Sequence, residues 1–159
     1  MSAALITATL IGLGGLVYSA FLGYSAAASP DVLTHTTVGI FFTLITLLAH
    51  SMTMFYLIGK GKAVREAVTE ENLSPDLYAV VVRARKPVFK IATVAMFLTM
   101  TTGIVGGGID IGVLPAGVHS LLAFIAIVAN CMALRSQVAA MTVSSKIVAE
   151  INTLLVGNK

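Results

Sequence analysis

Three histidines, His35, His50 and His119, are the residues of this chain best equipped for chemistry. An imidazole nitrogen ligates transition metals and moves protons near neutral pH. Two of the three share residues 33–59, a run without a single Asp, Glu, Lys or Arg. Such a run exceeds the roughly 20 residues needed to cross a bilayer, and a histidine inside it is expected to have a function. If the run is helical, His35 and His50 lie roughly 22 Å apart along its axis. Their azimuths differ by only about 60°, so both point to broadly the same side. His119 stands near the start of a later apolar run.

The elements that must position these rings follow from composition. Of 159 residues, 57 % are hydrophobic and 11 % charged, with a mean hydropathy of +0.96. A soluble core of this size does not need so much apolar surface, so a single integral membrane domain is expected. Apolar runs predict spans at about 4–27, 33–59, 88–108 and 116–134. The first runs into SAAAS at 25–29, which looks like a cleavage site. Its start carries no positive charge and the run is long, so a retained span is expected rather than a secretory signal. Seven of the ten basic residues fall between Lys60 and Lys90, and the connections around 28–33 and 109–114 have none. The positive-inside rule therefore puts 60–90 and both termini in the cytoplasm, with the lipid bilayer of a prokaryotic inner membrane as the expected setting. The same basic residues are accounted for by topology, so no nucleic-acid partner is expected. A lone Cys131 fixes no disulfide and leaves the redox compartment open.

KAVREAVTEENL is rich in helix formers, and SPDLYAVVVRARK opens with a Ser N-cap followed by Pro. A helical hairpin over about 60–87, turning near Asn72–Ser74, is expected, with Pro87 able to kink the third helix. Ser29-Pro30-Asp31 predicts the first outer turn, Thr34 an N-cap and Pro115 the first turn of the fourth helix. Residues 135–156 keep a helical pattern and predict a cytoplasmic extension packing on the hairpin or on another subunit. The fold class is all-α: a four-helix transmembrane bundle with helices two, three and four extended into the cytoplasm. No internal repeat is visible.

In that topology helices two and four both start at the outer face, which puts His35 and His119 at one depth. Two histidines at one depth on two helices suit axial ligation of a haem iron. Gly39 lies one turn below His35, and Gly23 and the cluster from Gly103 through Gly107 to Gly108 stand at the same level. These glycines offer space for a porphyrin face. The arrangement resembles membrane b-type cytochromes, four-helix bundles holding haem between histidines of two helices. The likeness covers about 4–135 and implies haem b and electron transfer, with His35 and His119 as ligands. It departs from the two-haem pattern, in which both ligand helices carry a second histidine about fourteen residues on. His119 has none, and Asn130, Cys131 and Met132 occupy that depth. The outer turns also lack arginine for haem propionates, leaving the helix N-termini with Thr34, Thr36 and Ser120 as anion donors.

His50 belongs to HSMTMF, with Met54 one turn on and Met96 entering helix three at a similar depth. Imidazole with thioether is a soft set suited to copper or to His–Met haem ligation. Methionine at helical spacing also fills cores. No span contains a carboxylate for a proton relay, and no phosphate loop, dinucleotide fingerprint, zinc-protease motif or nucleophile elbow marks a stand-alone enzyme. Three readings follow: a haem b electron carrier, a non-catalytic accessory subunit of a membrane complex, and a copper-handling membrane protein. Small-residue faces, Gly15, Ser19 and Gly23 on helix one and Gly103 and Gly107 on helix three, predict close packing and a homo-oligomer.

Overall fold

The computed structural model describes residues 1–26 and 32–157, with nothing to be said of the side chains of Ala26 and Asp110. It contains four helices: α1 (Ser2–Ala26), α2 (Val32–Glu70), α3 (Pro75–Asp110) and α4 (Ala116–Gly157). All four are long and apolar enough to cross a membrane. Most of each apolar stretch faces outward, with Phe21, Phe41, Phe55, Phe97 and Phe124 all exposed. So broad an apolar exterior suits lipid and would be an aggregation hazard in water.

Sequence explains where the helices stop. Asn72 adopts φ 50° between α2 and α3, a left-handed conformation that Asn tolerates. Ser74 then caps α3, its hydroxyl oxygen accepting from the Asp76 N–H at 3.3 Å, with Pro75 in the first turn. Pro87 sits inside α3 without ending it. Between α3 and α4, Gly112 takes φ 74°, which a side chain would strain. Pro115 stands just before α4, one position earlier than expected. The expected turn at Ser29-Pro30-Asp31 lies outside the described residues, and Asp110 is described only as the last residue of α3.

At 39, 36 and 42 residues, α2, α3 and α4 are much longer than a bilayer requires, whereas α1 has 25. The excess lies at the basic end. There Val64, Val68, Leu77 and Val81 of the hairpin pack with Ile147 and Ile151 of α4, so the C-terminal extension docks on its own chain's hairpin. Farther in, Leu5, Leu57, Val88, Ala140 and Met141 join all four helices. The α3–α4 contact is built from Ala92, Ala95, Ala129 and Ala133, small side chains that let two backbones approach.

The two ends of the bundle differ in packing. No described residue between Ser19 and Thr46, or between Thr99 and Ala126, is fully buried, although the helices run through both intervals. The histidines at 35 and 119 stand in this looser end.

Candidate functional site

His35 and His119 are neighbours. Their ring centroids are 5.9 Å apart and their planes nearly perpendicular, at 84°. They reach each other from α2 and α4, helices that meet only sparingly within the bundle. Each ring is held by the helix paired with its own. His35 Nδ1 donates to the Ser19 carbonyl of α1 at 2.8 Å, with Ser19 Oγ 3.5 Å away. His119 Nδ1 donates to the Thr102 carbonyl of α3 at 3.1 Å. A neutral imidazole whose Nδ1 proton is fixed in this way carries its lone pair on Nε2, the usual setting of a ligating histidine. Both rings are partly buried.

One helical turn beyond each carbonyl stands a glycine. A Cβ on Gly23 would come within 2.7 Å of His35 Cε1, and one on Gly106 within 3.1 Å of His119 Cε1. The two hairpins, α1–α2 and α3–α4, thus use the same device: a carbonyl, a glycine one turn on, and a histidine from the next helix. The spacing carried this signal, since Ser19 and His35 are 16 apart and Thr102 and His119 are 17 apart. It went unread because the residues around it differ.

The other glycines have different surroundings. Gly39 makes room for Ser19, whose Oγ lies 2.9 Å from where a Cβ would stand. Gly15 accommodates the Phe42 ring, and Gly12 the Thr46 hydroxyl. Gly103 and Gly107 face open space, with nothing within 4 Å. The glycines expected around the pair thus have different neighbours. Gly23 touches a histidine ring, Gly39 serves α1–α2 packing, and Gly106, rather than Gly103 or Gly107, is the glycine beside His119. The Ser120 hydroxyl, expected as an anion donor, turns back to the Ala116 carbonyl at 3.2 Å.

His50 occupies a separate and fully enclosed place. Gln137 Nε2 donates to its Nδ1 at 2.7 Å, and its Nε2 donates to Asn130 Oδ1 at 2.8 Å. Asn130 Nδ2 in turn donates to Thr99 Oγ1 at 2.8 Å and to the Ala126 carbonyl at 2.7 Å. Thr9 of α1 lies 3.4 Å from Gln137 Oε1. Residues from all four helices thus meet in one buried polar network, with His50, Asn130, Gln137 and Thr9 each no more than 1 % exposed. Hydrogen bonds between helices fix which faces meet where apolar packing alone does not. Both nitrogens of His50, the residue named with Met54 and Met96 for copper, are hydrogen-bonded. Met54 packs instead among the alanines between α3 and α4. Asn130 and Gln137 are the residues that sequence reading missed, because their partner lies on another helix.

Among the described residues no three of His, Cys, Asp and Glu gather into a metal-binding group. No family model matches the chain, and no curated protein or solved structure matches it, so its chemistry must be read from the histidine pair itself.

Proposed function

We propose that the protein is a haem b-binding membrane electron carrier in which His35 and His119 are the two axial ligands. The observation that carries this reading is the close approach of two imidazoles from different helices, each with its Nδ1 proton committed to a backbone carbonyl. The ring centroids are 5.9 Å apart, and these two residues would hold the haem iron. The loosely packed histidine end and the two glycines edging the rings also fit a flat group there. A bound haem would supply one-electron chemistry. The chain's own residues hold the rings, fix the tautomer through the Ser19 and Thr102 carbonyls, and surround the pair with apolar helix.

The basic segment at 60–90 supports an orientation with that segment and both termini in the cytoplasm and the histidine pair toward the outer face. The open face at Gly103 and Gly107 supports self-association through α3.

Visible spectroscopy of the purified protein tests the ligand pair. Sharp α and β bands are expected on reduction. His35→Ala and His119→Ala should each abolish them, and His50→Ala should leave them in place, because it lies roughly 22 Å along α2 from His35. Gly23→Ala should disturb the bands more than Gly103→Ala, since only the former drives a methyl into a histidine ring. Bands that survive both outer substitutions would move the site elsewhere. A protein that carries no haem after haem-replete expression would be read as an accessory subunit instead.

A further inference from the structure

A second feature lies toward the opposite, basic end, about 35 Å along α2 from His35 at the level of Ile58. Between α2 and α3 is a cavity of about 440 Å³ lined by Ile58, Val82, Arg85, Lys86, Phe89 and Lys90. Three of its six lining residues are cations and none is an anion. The one ion pair among the described residues, Lys62 with Glu66, joins two well-exposed side chains of α2 that do not line it. Half of the wall is therefore uncompensated positive charge and the other half is apolar.

Arg85 is built into this cavity. Its guanidinium lies against buried Gly61 of α2, so closely that a Cβ there would collide with Nη1. On the other side Tyr78 holds it, with Nη2 3.4 Å from the phenol oxygen and Cζ 5.9 Å from the ring centroid. Tyr78 is uncharged, so the arginine is positioned but not neutralised. A guanidinium held in place with lysines alongside recognises a phosphate, which it binds with two parallel hydrogen bonds.

The level of the cavity identifies the source of that phosphate. Ile58 is close to the end of the uncharged run of α2, and the lysines mark where α3 leaves its basic segment. In a bilayer this is the headgroup level, with Ile58 and Phe89, on the membrane side of Arg85, placed for the first carbons of an acyl chain. We infer that the α2–α3 cavity is a binding site for an anionic phospholipid, its phosphate held by Arg85, Lys86 and Lys90. The inference rests on the membrane-spanning reading and is independent of haem.

Native mass spectrometry of the full chain in mild detergent tests it, with dioleoyl phosphatidylglycerol and dioleoyl phosphatidylcholine as probes. Phosphatidylglycerol is expected to bind about tenfold more tightly than phosphatidylcholine. Arg85→Gln with Lys90→Gln should remove that preference, and Lys62→Gln with Arg83→Gln, equal in charge but outside the cavity, should keep it. Gly61→Ala is the sharpest variant, because it displaces the guanidinium while every charge stays. Its only close neighbour is the end of a flexible side chain, so helix content by circular dichroism should not change. It should lose most of the preference. Equal loss in both double variants, or full preference in Gly61→Ala, would reduce the site to diffuse surface charge and overturn it. Displacement of the lipid by millimolar inorganic phosphate would make it a free-anion site instead.

Discussion

Three histidines, each in an apolar run, have different fates, and the difference is which groups face their nitrogens. At His35 and His119 Nδ1 meets a backbone carbonyl, which fixes the tautomer. At His50 both nitrogens meet side-chain amides, so the ring is consumed as a structural link. Replacing it should be expensive. His50→Ala leaves Gln137 Nε2 and Asn130 Oδ1 without their partner and opens a cavity, and a loss of about 2–4 kcal/mol is expected in thermal unfolding from detergent. Thr53, fully buried nearby on α2, has a hydroxyl with no hydrogen-bond partner. Thr53→Val keeps its shape and removes that hydroxyl, so stability should hold or rise slightly. A Thr53→Val loss as large as that of His50→Ala would mean the hydroxyl is engaged after all.

At the scale of elements, the helices divide their length between two tasks. The histidine halves of α2 and α4 carry rings and open packing, and their other halves build a close core with the hairpin. The docking of Ile147 and Ile151 on the hairpin uses the apolar face of the α4 extension within one chain. What α3 leaves uncovered is the face at Gly103 and Gly107, where a second chain could approach closely. If that face carries self-association, Gly107→Leu should shift the native mass toward a single chain and leave helix content unchanged. A wild-type protein that already runs as one chain in mild detergent would count against this.

For the whole molecule, charge is concentrated at one end and the paired histidines at the other. The orientation is open to cysteine labelling in a Cys131→Ser background. A membrane-impermeant reagent added to intact cells should reach Val113→Cys, in the exposed turn between α3 and α4, and should spare Glu70→Cys at the hairpin. Labelling at position 70 would reverse the molecule. It would put the histidine pair on the cytoplasmic side, and the α2–α3 cavity would face the outer leaflet.

Much of this architecture was legible before any coordinates. Uncharged runs, the Ser74–Pro75 cap and the basic block specified four helices and a hairpin, because chain length, capping and charge act locally. The common depth of His35 and His119 was legible too, since depth along a helix follows from a fixed rise per residue. Azimuth was not. A helix that is apolar on every side gives no pattern separating the lipid face from the core face, so the sequence could not say which glycine meets which ring. Only packing selected Gly23 and Gly106 for the histidines and left Gly103 and Gly107 open. Only packing brought Asn130 and Gln137 onto His50, because a hydrogen bond between helices depends on residues some 80 positions apart sharing both a level and a direction.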